Sequence, residues 1–331
     1  MILPVFRLLA HTPRVVNDAA GWGVGWALAA IKRPRGRDRL EAPATPPPCS
    51  ARRSVGQLAR NQARIRRRAL TGAEVCRAVA SYFVMFAQTA TLPRISDEEL
   101  SRAVIWDDEG GLVQRAAQDT GCVIAVTHSG NWDLAGRGVA HRFGSLVTVA
   151  EVVKPPALFH YFVRLREALG MQILPAQRGI YRDLRDLVAQ ARRVAQPPVV
   201  ALLADRDISG TGVEVSLSGH RALVAAGPAA LAHDLDLPLF VGHITRRRYR
   251  WRGIPRLGIT LHVRPVQRRG SVPETTQAWV EALEPLLRDG VEDWHMMQPL
   301  FVDDLDPARL QRARARAVRE ADVQREQGSE R

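Results

Sequence analysis

Cysteine is scarce in this 331-residue chain: Cys49, Cys76 and Cys122 are the three present. They lie far apart and are odd in number, which excludes a disulfide framework and a zinc pattern and fits a reducing setting. Cys122 sits in an apolar run and reads as a small core residue rather than a nucleophile. No run of 18 or more apolar residues occurs, so no stretch reads as a spanning helix. The nearest approach, residues 19–31, is too short to span, and no small-residue cleavage site follows it as a signal peptide requires. Its two tryptophans, Trp22 and Trp26, and the basic residues from Lys32 to Arg35 suit a helix lying among lipid head groups. A helix packed on the rest of the protein is the other expectation, and both can hold together. The Walker loop, G-x-G-x-x-G after a strand, H-E-x-x-H and G-x-S-x-G are absent. The histidines are scattered, so no metal and no cofactor are expected.

Acidic residues are outnumbered, 34 Asp+Glu against 47 Lys+Arg, for a net charge of +13. That balance disfavours a cationic partner and suits polyanions: nucleic acid, an anionic lipid surface, or phosphorylated substrates. The arginines at 60, 64, 66, 67 and 68 read as a solvated helix face or as a contact with anionic membrane. Residues 246–252 interleave Arg with Tyr249 and Trp251, as single-stranded nucleic-acid binders do. No nucleic-acid module surrounds them; a loop or strand edge protected by charge is expected, and no nucleic acid. Hydrophobic residues make up 46% of the chain, enough for a folded core.

Short β-branched runs alternate with helical patterns. Strands are expected at 122–126, 146–151, 171–174, 198–204, 212–219, 238–245 and 258–263. Helices are expected over 1–31 with a break near Pro13, from Ser54 along a face running from Leu58 to Val79, in a second helix to about Gln88, at 107–120, from Trp132, from Lys154 through Leu165, at 180–194, from Gly227 and at 276–287. The proline-rich residues 33–50 read as an exposed connection, and 306–331 as a helix fraying into a charged tail. This rhythm predicts an α/β fold with a mostly parallel central sheet, helices on both faces and an N-terminal helical hairpin. Three regions follow: a helical, membrane-associating segment at 1–95, an α/β domain at 96–305 and the tail.

The strand at 122–126 ends in Thr127-His128, and Ser129-Gly130-Asn131 turns the chain into a helix. His128 therefore sits at the carboxyl end of a buried strand, where open α/β sheets place ligands. Asp133, at the helix start, is expected to bond one ring nitrogen, fix the tautomer and leave the other nitrogen free to take a proton. The pair reads equally as a His closing a strand and an Asp capping a helix. Asp205, at the end of the strand 198–204, is the next candidate, because adjacent parallel strands bring their carboxyl ends together. Its plain alternative is an ion pair with Arg206. Glu214 is the reserve for the same role. Backbone N–H groups of Ser129, Gly130 and Asn131 are placed to stabilise an oxyanion.

The wording His128-Ser-Gly-Asn-Trp-Asp133 resembles the signature of the glycerolipid-type acyltransferases, in its bacterial lipid A lauroyl/myristoyl branch. It is most similar there to the phosphatidylinositol mannoside acyltransferases. Further similar blocks lie at 151–170, 204–230 and 294–305; the proline-rich insert at 43–48 departs from the pattern. The resemblance implies that His128 is the general base and Asp133 and Asp205 its electrostatic partners. It implies a site for phosphorylated acceptor or donor among Glu151, Lys154, Arg164, Arg166 and Arg206, with Trp294, His295 and Gln298 nearby. Arginine forks grip phosphate oxygens at two points. Arg164 and Arg166 do not share a helix face, and Arg166 is expected to face the cleft. The implied activity is transfer of a long acyl chain, palmitoyl in type, from acyl-CoA to a mannose hydroxyl of a phosphatidylinositol mannoside. The implied location is the cytoplasmic face of the plasma membrane, peripherally bound. Two alternatives remain at this point: another glycolipid or lysophospholipid as acceptor, or a non-catalytic basic protein docking on membranes or nucleic acid.

Overall fold

The computed structural model describes residues 2–32, 51–194, 197–208, 212–308, 311 and 315. The connection expected at 33–50 and nearly all of the tail expected at 306–331 lie outside the described residues. Strand β2 (Cys122–Val126) is the middle of the molecule, with Cys122, Val123, Ile124 and Ala125 each at most 1% exposed. Full burial of one such Val or Ile side chain contributes about 1.5–3 kcal/mol. Alternate residues serve opposite faces: Val123 and Ala125 pack with one core, Cys122 and Ile124 with another.

Six further strands complete a seven-stranded sheet: β1 (Val104–Asp108), β3 (Leu146–Glu151), β4 (Met171–Ala176), β5 (Val199–Leu203), β8 (Leu239–Trp251) and β9 (Ile254–Val266). Their order is β1-β9-β8-β2-β5-β3-β4, with β8–β9 the one antiparallel pair. The pairing of β2 with β5 sets Val126 against Leu203, so both strands deliver their next residues, Thr127-His128 and Ala204-Asp205, to the same edge. Helices α7 (Trp132–Phe143), α8 (Pro156–Ala168) and α6 (Leu112–Asp119) contribute to one face. The other is covered by α9 (Ile180–Arg193), α10 (Gly227–Asp234) and α11 (Val272–Asp289). A small antiparallel hairpin, β6 (Val213–Leu217) and β7 (His220–Val224), stands apart from this sheet.

Before the sheet come α1 (Ile2–His11), α2 (Arg14–Lys32), α3 (Ala51–Arg66), α4 (Gly72–Thr89) and the short α5 (Asp97–Ala103). The break near Pro13 is where it was expected. Two helices follow Ser54, as expected, but the first does not run on through Val79: Arg67 turns with φ +54° and Thr71 caps the second. Thr71 Oγ1 accepts from Glu74 N while Glu74 accepts from Thr71 N, a capping box that was present in the sequence as Thr-x-x-Glu.

Three other expectations change. Residues 104–108, partly assigned to a helix, form an edge strand parallel to β9. The strands of residues 238–245 and 258–263 are the inner parts of a long hairpin turned at Arg252 (φ +47°) and Gly253 (φ +79°). The arginines expected as a solvated face do not all stand free: on α3, Arg64 pairs with Asp304 and Arg66 lies near Glu74 and Glu292, and Arg68, just after the helix, pairs with Glu74.

Candidate active site

The turn after β2 is fixed almost atom by atom. Thr127 N donates to Gly242 O on the neighbouring β8, extending the ladder by one residue. The Ser129 hydroxyl is fully buried, lies 2.7 Å from Thr127 Oγ1 and accepts from Ile244 N at 2.9 Å. Gly130 has φ +52°, and a Cβ there would stand 2.4 Å from the Ile244 side chain and 2.9 Å from its carbonyl. Only glycine fits that position. Asn131 then caps α7, accepting from Leu134 N at 3.0 Å, while its amide donates to Gln88. With backbone and neighbours so engaged, the free part of the turn is the His128 side chain.

His128 is gripped by Asp205. The imidazole Nδ1 lies 2.5 Å from Asp205 Oδ1, and His128 N donates to Asp205 Oδ2 at 2.9 Å. Trp294 Nε1 donates to the same Oδ2 at 2.7 Å. Burial by itself raises the Asp205 carboxyl, but the His128 ring, the Trp294 indole and the His128 N–H outweigh it and hold the group below its ordinary value. An ionised Asp205 fixes the proton on Nδ1 and leaves Nε2 as the ring's basic atom. Asp205 is therefore the carboxylate on the ring, and its expected alternative, an ion pair with Arg206, is not formed.

Asp133 was expected to bond the ring and does not. It turns to α8, where Arg166 Nε donates to its Oδ1 at 2.7 Å, and Thr89 Oγ1 lies 3.3 Å from its other oxygen. The physical reason is helix geometry. At the second position of α7 the side chain lies back over the first turn, toward α4 and α8, whereas the imidazole is held toward β5. Arg166 lines the cavity described below, as expected, and Arg164 is exposed.

The other candidates divide. Glu151 lines the cavity mouth and accepts from Arg206 Nη2 at 2.8 Å, while Arg206 Nη1 donates to Gln298 at 2.7 Å. Lys154 is exposed, next to the lining residue Val153. Glu214 is off the site, paired across the small hairpin with Arg221. The oxyanion role expected of the turn fails for two donors, because Ser129 N is spent on Thr127 O and Gly130 N on Asp293 O. His295 is buried, its N–H donating to His128 O at 2.7 Å and its Nε2 lying 3.2 Å from Gly130 O. Burial pushes its pKa down to about 4, so it is neutral at pH 7 and holds the turn from behind rather than facing the cavity.

His128 opens on a cavity of about 780 Å³ whose wall is overwhelmingly apolar. It passes between α7 and the sheet, and between α1, α2, α4 and α8. Of the lining residues, sequence reasoning singled out His128, Asp133, Glu151 and Arg166 as site residues and left the apolar wall unread as a cavity; the small residues Ala135 and Gly136 on the inner face of α7 were its signal. A second cleft, about 660 Å³, lies on the opposite sheet face. It also holds a His–Asp pair, His262 Nδ1 at 2.6 Å from Asp107, but charged and polar groups line nearly all of it. It offers no berth for a hydrocarbon. Among the described residues no group of three His, Cys, Asp or Glu side chains could hold a metal ion.

Residues 72–302 match the family described as bacterial lipid A biosynthesis acyltransferase. The chain is similar to the phosphatidylinositol mannoside acyltransferase of Mycobacterium tuberculosis, 32% identical over 246 residues, covering 73% of this chain and 74% of that one. It is equally similar to the phosphatidylinositol mannoside acyltransferase of Mycolicibacterium smegmatis, 32% identical over 234 residues, 71% of this chain and 74% of that one.

Proposed function

The chain belongs to the bacterial lipid A biosynthesis acyltransferases, and from that premise we propose that it moves a long acyl chain, palmitoyl in type, from acyl-CoA to a mannose hydroxyl of a phosphatidylinositol mannoside. One observation carries the proposal: a histidine with its Nδ1 held by a buried carboxylate stands at the mouth of a deep apolar cavity. The acceptor is taken from the names of the similar proteins; the acyl-CoA donor is what the resemblance of the His128–Asp133 block implies, and the apolar cavity beside His128 has room for its hydrocarbon chain.

In the proposed reaction the acyl chain fills the cavity and the thioester carbonyl lies at His128. A hydroxyl is too weakly acidic to attack unaided, so His128 Nε2 takes its proton as the oxygen bonds to the carbonyl carbon. Asp205 stabilises the imidazolium without itself being protonated. Collapse of the tetrahedral intermediate breaks the carbon–sulfur bond, and the imidazolium proton goes to the departing thiolate. Ester and free CoA thiol result, with no acyl-enzyme. Arg166, Arg164 and Lys154 are the cations we assign to the phosphates of donor and acceptor.

The same proposal places the protein peripherally on the cytoplasmic face of the membrane. No described helix is long and apolar enough to cross a membrane. Val5, Val24, Val153 and Ile208 are all at least 37% exposed and also line the cavity, so its mouth merges with exposed apolar surface. A lipid acceptor can reach His128 there without its tails entering water.

The test is release of CoA thiol from palmitoyl-CoA by purified protein, with and without a phosphatidylinositol mannoside, beside His128→Ala. Acceptor-dependent release, lowered at least about 100-fold in the variant, is expected. Equal release by both proteins, or none from folded wild type, overturns the proposal.

A further inference from the structure

The cleft on the opposite sheet face contains a chain of three side chains that the reaction at His128 does not use. Thr245 Oγ1 lies 2.8 Å from His262 Nε2, and His262 Nδ1 lies 2.6 Å from Asp107 Oδ2. Three adjacent strands of the sheet supply them. Asp107 on β1 stands opposite His262 on β9 in the parallel register. In the antiparallel register of β8 with β9, Thr245 lies two residues along from His243, the partner of His262. Alternation along each strand puts all three side chains on one face, and all three line the cleft.

Each member is held in its role. Asp107 Oδ2 accepts from Arg264 Nη2 at 2.8 Å as well as facing the ring. Arg264 and His262 keep the Asp107 carboxyl below its ordinary value, so it is ionised at neutral pH. An ionised carboxylate can only accept, so the ring proton sits on Nδ1 and Nε2 is left to accept from the Thr245 hydroxyl. The Thr245 methyl is seated against Gly290, where a Cβ would stand 2.6 Å from Cγ2, and Oγ1 is turned toward the ring. Arg66, also in the cleft wall, stays 3.6 Å from the carboxylates of Glu74 and Glu292. That is beyond hydrogen-bond length, which leaves its guanidinium free to stabilise an oxyanion.

We propose that Thr245, His262 and Asp107 form a second catalytic centre, which hydrolyses short acyl esters of polyhydroxylated alcohols such as sugars. Thr245 is the nucleophile, His262 the base and Asp107 the positioning residue. The cleft sets the substrate class. Among its described lining residues Leu286 is the one large apolar side chain, so a long acyl tail has nowhere to lie. Arg246, Arg264, Asp289 and Glu292 offer donors and acceptors to hydroxyl groups instead. Thr245 Oγ1 bonds to the ester carbonyl carbon as His262 Nε2 takes its proton. Collapse breaks the bond to the alcohol oxygen, which leaves with that proton. Water then attacks the acyl-threonine, a proton passes through Nε2 back to Oγ1, and the short carboxylic acid departs.

The test uses the full chain, with 4-nitrophenyl acetate and an acetylated monosaccharide as probes. Acetate release from both is expected, with an acetyl group on Thr245 of acid-quenched wild type, located by peptide mass spectrometry. That arm needs no variant to fold. Thr245→Val keeps the side-chain shape and should lower hydrolysis at least about 100-fold. CoA-thiol release from palmitoyl-CoA should stay at the wild-type level in the same variant. Thr245→Ser keeps the hydroxyl and should hydrolyse both probes. Asp107→Asn should lower kcat for hydrolysis with KM little changed, whereas a loosened cleft would raise KM as well. Hydrolysis undiminished in Thr245→Val, an acetyl group confined to other residues, or no hydrolysis by folded wild type overturns the second centre. So does hydrolysis that disappears in His128→Ala, which would place the chemistry in the apolar cavity.

Discussion

Asp205 and Asp133 are separated in role by what each touches. Asp205 accepts from the His128 ring, the His128 N–H and the Trp294 indole, whereas Asp133 accepts from the Arg166 guanidinium. Asp205→Asn keeps the shape but removes the charge that stabilises an imidazolium, and an amide presented to Nδ1 favours the wrong tautomer. It should lower kcat by about 10²–10⁴-fold with little change in KM. Asp133→Asn should act through Arg166 instead. Asp133→Asn and Arg166→Gln should give similar losses in kcat/KM, and the double variant should be scarcely worse than either, a coupling of about 1 kcal/mol or more. Additive losses from that pair, or a kcat collapse in Asp133→Asn equal to that in Asp205→Asn, would show that Asp133 serves His128 after all. The sequence made His128 legible because strand, turn and helix start are local patterns. It also offered Asp205, since neighbouring parallel strands end together. What it could not offer was the choice between two carboxylates, which depends on the direction each side chain leaves its element. The roles of Ser129 and His295 were hidden for the same reason: each is defined by partners more than 100 residues away, Ile244 for the first and the turn at 128–130 for the second.

At the level of elements, the wall of the cavity depends on how closely α2 can approach α4. A Cβ on Gly21 would stand 2.8 Å from Val84 Cα, and one on Gly25 only 2.4 Å from Ala80 Cα. Both obstacles are backbone, which cannot swing aside. Elsewhere on α2, Val24, Trp26 and Ile31 are exposed, so the helix expected at residues 19–31 is packed on the protein and still carries apolar side chains at the surface. Gly25→Val should push α2 off α4 and destabilise the protein by about 1–3 kcal/mol. Because Gly21 and Val24 line the cavity, fatty-acid binding should weaken alongside. A melting temperature and a binding curve both unchanged would mean that α2 is not held in this way. Elements with strong internal signals were legible in this way throughout: β2, β3 and β5, the break at Pro13 and the start of α10 all fall where apolar runs and prolines put them. Those that need a distant partner were not. Residues 104–108 are a strand only because β9 lies beside them, and the arm beyond Thr245 extends as a hairpin only because its two halves pair with each other. Two misses did have local signals: the Thr71-x-x-Glu74 capping box, and the Ser218-Gly219 pair, whose φ values of +53° and +82° make the tight turn between β6 and β7.

Charge and exposed apolar surface act together at the scale of the molecule. The net charge of +13 attracts an anionic surface over about a Debye length, ~8 Å at physiological salt. That attraction alone gives binding that salt reverses. Exposed Val5 and Leu8 on α1, and Trp26 and Ile31 on α2, add apolar area that salt does not screen. The protein should therefore co-sediment with vesicles containing anionic phospholipid, bind neutral vesicles more weakly, and lose only part of its binding at high salt. Leu8→Gln and Ile31→Gln change residues that are 67% and 70% exposed and leave the net charge unaltered, so they keep both the core and the electrostatic attraction intact. Combined, they should remove the salt-resistant fraction while sparing the salt-sensitive one and the melting temperature. They should also raise KM for an acceptor presented in vesicles while leaving KM for a detergent-dispersed one nearly unchanged, since the cavity and His128 are untouched. If the double variant binds vesicles as wild type does at every salt concentration, the apolar faces of α1 and α2 are not the contact. If it loses activity equally in vesicles and detergent, those residues serve the cavity rather than the surface.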